Sequence, residues 1–185
     1  MKRLTRGFLD LVFAPRCARC RNPLPAAGFL CAACSKESSA ITLPLCPGCG
    51  RSTVEGPTAF CRSCRGKYHR DGLLAAAAFE GAQRDLVYAL KYRADFRAGR
   101  HLGRLMAAMV GGMLPDGETL LVPVPLHRRR LRSRGFNQAS FLARCIARER
   151  GLPMAPAALV REVDTLPLTG LDRRERKRAS GGPSG

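Results

Sequence analysis

Eight of the nine cysteines in this 185-residue chain fall in four CxxC pairs: Cys17/Cys20, Cys31/Cys34, Cys46/Cys49 and Cys61/Cys64. Two thiolates three residues apart can turn around one metal ion, with the amides inside the turn able to bond to sulfur. Two such knuckles complete a tetrahedral, four-thiolate zinc site. The simplest pairing is sequential, Cys17/Cys20/Cys31/Cys34 for one ion and Cys46/Cys49/Cys61/Cys64 for the other; the spacing also permits an interleaved one. Each site has four protein ligands and no open position, so both are predicted to be structural. A disulfide framework is the rival. Adjacent CxxC pairs without a secretory signal favour zinc. The segment has few large apolar residues, so bound metal is expected to supply much of its folding free energy.

A second concentration of chemistry lies in LLVPVPLHRRRLRSRGFNQ, residues 120–138. Arg128, Arg129, Arg130, Arg132 and Arg134 crowd into it, followed by Gly135, Phe136, Asn137 and Gln138. A short aliphatic strand opening into a cationic loop and then a helix is where α/β sheets place anionic ligands. A solvated basic loop is the plainer reading of the same residues. Positive charge is general, with 32 basic against 14 acidic residues and a formal charge of +18. Both ends are basic and residues 71–125 are balanced. Eight zinc-bound thiolates would still leave the chain strongly positive, which implies an anionic partner: nucleic acid, nucleotide or phosphate. Arg16, Arg19, Arg21, Arg51, Arg62, Arg65 and Lys67 surround the knuckles and suit phosphate contact. Only Phe29, Phe60 and Tyr68 interleave with them, so base stacking there is weakly supported, and a merely soluble basic surface is the alternative.

These groups need elements to position them. Residues 8–13 suggest a short amphipathic helix or strand that buries Phe8, Leu9, Val12 and Phe13. Their apolar run is interrupted by Asp10 and is too short for a membrane span, so the chain reads as cytoplasmic. The glycine-bounded stretch 67–72 reads as a linker, with His69 exposed. Residues 73–79 form an alanine-rich apolar run that periodicity alone cannot assign to strand or helix. Residues 82–93 predict a helix burying Leu86, Ala89 and Leu90. The next helix has one apolar stripe, Leu102, Leu105, Met106, Met109, Val110 and Met113, with His101 facing solvent. After the basic loop, Asn137 predicts the cap of a helix to Arg150 with Leu142, Cys145 and Ile146 inward. Cys145 lacks a CxxC partner and is expected to be buried and inert. A short strand is predicted at 157–161, and a disordered low-complexity tail at 179–185.

The residues Val122-Pro123-Val124-Pro125-Leu126-His127, Arg130-Leu131-Arg132 and Arg134-Gly135-Phe136-Asn137-Gln138 strongly resemble the ComF family, competence-associated proteins with a phosphoribosyltransferase-like domain. The resemblance extends back through the cysteines and forward to about Arg178. It implies an α/β fold class: a small double zinc ribbon (1–66), the linker, then an incomplete type I phosphoribosyltransferase-like parallel α/β domain (73–178) in which 73–79 is a strand. It also matches Lys91-Tyr92 to a family pair near the active cleft, Asp164-Thr165 to an Asp-Thr segment, and 171–176 to a Leu-x-x-x-x-Arg segment. The candidate phosphate-binding residues are therefore Lys91, Arg128, Arg130, Arg134, Gly135, Asn137 and Gln138.

The implied ligand is phosphoribosyl pyrophosphate or a nucleotide, with magnesium accompanying phosphoribosyl pyrophosphate only where the family's later acidic strand and Thr-Thr-Gly turn are present. That element does not appear before Gly185; Leu168 stands where the family usually has glutamine, and Ala179 where it has asparagine. The expectation is a C-terminally truncated or frameshifted member with impaired transfer, or one whose sheet edge is covered by a partner or oligomer. Single-stranded DNA and competence DNA-uptake proteins are the macromolecular partners implied. The alternative function is a zinc-ribbon protein that binds single-stranded DNA without enzyme activity.

Overall fold

The computed structural model describes residues 15–24, 28–38, 41, 43–54, 56, 59–66, 73–111, 119–165, 172 and 175. The predicted N-terminal element at 8–13, the linker 67–72 with His69, Met113, most of 166–178 and the tail 179–185 lie outside them.

The cysteine-rich half is built from two tight hairpins. Each is pinned by one antiparallel bridge, Arg16 with Pro23 and Leu45 with Ser52. A short helix, α1 (Ala32–Lys36), carries Cys34. Four longer helices follow among the described residues: α2 (Gly81–Arg93), α3 (Phe96–Val110), α4 (Arg128–Arg134) and α5 (Gln138–Arg150). Leu86, Ala89 and Leu90 of α2 are buried as the periodicity predicts. The turn into α3 is sharp. Ala94 takes a left-handed conformation (φ 51°), and the Asp95 carboxylate accepts bonds from the Arg97 and Ala98 amides at 3.0 and 3.2 Å. This satisfies two amides that would otherwise be orphaned at the helix start.

Helix α3 differs from its sequence reading. Its buried face is Ala98, Gly99, Leu102, Gly103 and Ala107, while Leu105, Met106, Met109 and Val110 are half-buried. The small residues let α5 approach closely. A Cβ added at Gly99 would lie 2.6 Å from the Phe141 ring, and one at Gly103 would lie 2.4 Å from the Cys145 Cβ. Glycine contributes nothing to an apolar stripe, so hydrophobic periodicity cannot reveal such a seam. Arg150 closes it, donating to the carbonyls of Ala107 (2.6 Å) and Ala108 (3.3 Å) at the C-terminal end of α3.

The arginine-rich segment expected as a loop is helix α4. Arginine is a good helix former, and Gly135 supplies the left-handed residue (φ 79°) that ends the helix. Asn137 caps α5 as expected, accepting from the Ala139 amide at 2.9 Å. Sheet structure is sparse among the described residues. Leu121 and Met154 form one isolated parallel bridge, with bonds of 3.0 Å from Leu121 N to Pro153 O and from Ala155 N to Leu121 O. The second strand thus falls at 153–155 rather than 157–161, where Leu159 and Val160 are exposed. Residues 73–79 make no continuous strand: Ala77 takes part in an isolated bridge, and Leu73 donates to the Pro47 carbonyl of the second hairpin at 3.0 Å.

Ala18, from inside the first knuckle, shares the main core with Leu86, Ala89, Leu90, Ala98 and Leu102, and Leu30 packs against it. The first ribbon and the helices therefore share one core.

Candidate metal centres and anion site

The structure brings the cysteines together sequentially. The four Sγ atoms of Cys17, Cys20, Cys31 and Cys34 lie within 4.8 Å of one another, and so do those of Cys46, Cys49, Cys61 and Cys64. The Cys20–Cys31 and Cys49–Cys61 separations are 3.7 and 3.8 Å. A tetrahedron with zinc–sulfur bonds of about 2.3 Å has edges of about 3.8 Å, whereas a disulfide needs about 2.05 Å. None of the nine cysteines is in a disulfide. The donor sets fit two closed zinc sites.

Backbone geometry prepares the sulfurs. The Cys31 amide points at Cys17 Sγ (3.4 Å), and the Cys61 amide at Cys46 Sγ (3.3 Å). Burial pushes the Cys17 thiol up, but the amides of Cys20, Cys31 and Arg19 outweigh it and draw the pKa down to about 6. The Cys61 amide leads the same shift at Cys46, also to about 6. Burial pushes Cys34 and Cys64 up to about 12. Each site thus holds one thiol whose ionisation the backbone amides favour and at least one that burial disfavours.

The first site is tied to the helices. Arg19 donates from Nε to Asp85 of α2 at 2.8 Å and pairs with Glu37. Arg21 lies 3.3 Å from Asp95, the cap of α3, and Arg97 bonds the Gly28 carbonyl at 3.0 Å. Gln83 bonds Ser38. His101, expected in solvent, packs against Phe29 with ring centroids 5.6 Å apart, while Arg104 lies over the same ring. Burial, aided by Arg104, lowers the His101 pKa.

The candidate phosphate-binding residues separate into groups. Lys91 and Arg134 line one open depression of about 540 Å³, together with Tyr92, Arg93, Ser133 and Phe136. Gln138 orients Arg134 through a 2.7 Å bond, and the guanidinium lies 5.8 Å from the Tyr92 ring centre. Arg130 turns away to the Thr165 carbonyl (3.2 Å), Asn137 caps α5 and also bonds the Val124 carbonyl (3.0 Å), and Gly135 ends α4. Arg128 is exposed and does not line the depression. The sequence reading missed Ser133 and Phe136, whose place follows from α4 being helical, and Arg93, the last residue of α2. It also missed His127, whose Nδ1 faces Asp164 Oδ1 at 3.3 Å.

Among the described residues, no helix is long and apolar enough to cross a membrane. Residues 8–65 match the Double zinc ribbon domain family. The chain is 30% identical over 132 residues to Competence protein ComFC of Bacillus subtilis, covering 68% of this chain and 54% of that protein. It is 27% identical over 171 residues to Competence protein F of Haemophilus influenzae, covering 88% and 72%. With DNA utilization protein YhgH of Salmonella typhimurium, identity is 30% over 173 residues, covering 88% and 73%. No solved structure matches the chain. Paired four-cysteine ribbons, and a likeness that runs through both the ribbons and the helical half, place this chain in the ComF family.

Proposed function

We propose that this ComF-family chain serves DNA uptake or handling and holds a phosphate-bearing small molecule, phosphoribosyl pyrophosphate or a nucleotide, between the end of α2 and α4. The names of its relatives, competence protein and DNA utilization protein, support the first part. The observation that carries the second is the meeting of Lys91 and Arg134, from separate helices, in one open depression. Two cations converging on a concave surface, with the Ser133 hydroxyl nearby, suit an anion rather than a neutral ligand. The family's phosphoribosyltransferase-like domain supports the choice of ligand. So does the Leu121–Met154 parallel bridge with α4 and α5 between its strands, the smallest strand–helix–strand unit of such a domain. The eight ribbon cysteines hold two structural zinc ions, which cross-link the chain and take no part in chemistry.

Calorimetric titration with phosphoribosyl pyrophosphate tests this reading. Arg134→Ala and Lys91→Ala should each weaken binding at least about tenfold, roughly 1.4 kcal/mol. Arg130→Ala should matter less, because that guanidinium is engaged with Thr165. Unchanged binding in Arg134→Ala would remove the assignment. A second reading, single-stranded nucleic-acid binding without a nucleotide site, is favoured by the formal charge of +18 and predicts affinity that falls steeply with salt.

A further inference from the structure

Helix α2 buries one face and leaves aromatic rings on the other. Phe79, just before the helix, is 61% exposed, Tyr88 41% and Tyr92 59%. They form a continuous ladder. Phe79 and Tyr88 have ring centroids 6.1 Å apart, and Tyr88 and Tyr92 are stacked at 5.6 Å with planes 22° apart. The i, i+4 spacing of the tyrosines puts them on one helix face. This ladder uses two of the chain's three tyrosines. A solvent face of a helix in so basic a chain is ordinarily polar, and three adjacent exposed rings mark an interaction surface.

The ladder's surroundings define what it would take. Arg84, Lys91 and Arg93 lie on the same helix, and the Arg134 guanidinium extends the series over the Tyr92 ring at 5.8 Å. Tyr92 stands between two depressions: the anion site, and a second of about 300 Å³ bordered by Arg19, Asp85, Tyr88 and Arg93. The Asp85 carboxylate beside the rings is engaged by Arg19 at 2.8 Å and lies 3.8 Å from Arg84. Among the described residues neither Lys91 nor Arg93 is paired with a carboxylate. Half-exposed rings in series, capped at one end by Arg134 and flanked by Lys91 and Arg93, suit a flexible polyanion whose bases are unstacked and free. A duplex hides its base faces, and an enclosed small molecule would not need the full ladder.

We propose that the Phe79–Tyr88–Tyr92 ladder is a stacking platform for single-stranded DNA, with bases on the rings and phosphates beside Arg84, Lys91 and Arg93. The inference rests on the DNA-handling part of the proposed function, and it puts the strand on α2 rather than on the basic knuckles. Recognition is by stacking and charge, so it is indifferent to base sequence.

The test uses the zinc-loaded full chain and a fluorescent oligothymidylate across a range of salt. The double variant Phe79→Ala, Tyr88→Ala should bind at least about tenfold more weakly at every salt, because stacking is lost. The slope of affinity against salt should stay unchanged, because no phosphate contact is removed. Arg93→Gln should lower that slope by about 0.7. Tyr88→Phe, which keeps the ring, should bind as the parent does. Phe79→Leu, Tyr88→Leu keeps apolar bulk without the π face and should fail as the alanine pair does. Binding of phosphoribosyl pyrophosphate should be unaltered in all the Phe79 and Tyr88 variants. Full affinity in either double variant, or an equally tight and ring-dependent duplex complex, would overturn the proposal. Absent oligonucleotide binding with intact phosphoribosyl pyrophosphate binding would overturn this inference alone. Ring-dependent oligonucleotide binding without phosphoribosyl pyrophosphate binding would sustain it while sinking the anion-site assignment.

Discussion

The turns of the two ribbons share their main backbone bonds. Cys17 N to Asn22 O and Cys46 N to Arg51 O are both 2.8 Å, and Leu24 N to Pro15 O (2.7 Å) matches Thr53 N to Pro44 O (2.9 Å). Arg21 and Gly50 occupy equivalent positions with φ of 67° and 68°. Beyond the knuckles the likeness ends. The first ribbon places Ala18 in the helical core and sends Arg19 and Arg21 to Asp85 and Asp95. The second carries Pro47 and Gly48 where the first has Ala18 and Arg19, and Gly50 rests against Ala75. It leaves Leu43 and Val54 exposed, at 61% and 102%. Coordination is thus a local property fixed by cysteine spacing, while tertiary duty is set by the residues between and after the cysteines.

The strongest way to break this comparison is to remove one metal at a time. Cys17→Ser and Cys46→Ser should each cost one zinc by native mass spectrometry. Structural zinc contributes on the order of 10 kcal/mol of folding free energy, comparable to the whole stability of a domain. Cys17→Ser should therefore leave the amides of α2 and α3 unprotected in hydrogen exchange, and Cys46→Ser should leave them protected. Equal loss in the two would mean that the ribbons do the same work.

Gly50→Ala forces a side chain into the left-handed region and against Ala75, whose Cβ would be 3.1 Å away. The expected cost is about 1–2 kcal/mol, confined to the second ribbon and read as a lower temperature of zinc release there. An unshifted release would show that Gly50 is not required for its turn.

A smaller effect should come from pH. The folded pKa of His101 is lowered by burial and then by Arg104, below the ordinary value of 6.5. The unfolded chain therefore takes up its proton first as pH falls. The stability contributed by neutral His101 is complete above 6.5 and is lost on acidification through the lowered value. Melting curves of wild type and His101→Phe should diverge only below about pH 6.5. Parallel curves throughout would exclude His101 as the sensitive group.

Arg21→Gly should change least. It relieves the strained backbone but removes the pair with Asp95, so stability should stay within about 1 kcal/mol. A larger loss would show that the Asp95 contact outweighs backbone strain.

What could be read from the sequence follows the same division. The zinc cysteines were legible because three-residue spacing is itself the geometry of a knuckle. Leu86, Ala89, Leu90 and the Asn137 cap were legible because helical period and capping are local. The Gly99–Gly103 seam was not, since its signal is a missing side chain and its meaning depends on Phe141 and Cys145 opposite. Helix α4 was hidden by its charge: five arginines look like solvated loop until Gly135 is seen as a helix terminator. His101 was misplaced because the ring that covers it, Phe29, is remote in sequence. Of the phosphate candidates, Lys91 and Arg134 meet, whereas Arg130 and Asn137 are engaged in holding the backbone.

The α3–α5 seam gives the molecule a built-in clock. Cys145 is half-buried against Gly103, and burial raises its thiol pKa, so alkylation in the closed state is slow. With the other eight thiols held by zinc, uptake of one alkyl group per chain would time how often the two helices part. Where parting is fast relative to the reaction, the alkylation rate measures the opening equilibrium. The ninth cysteine, useless as a ligand, is the one placed to report whether the helices behind the first ribbon stay together.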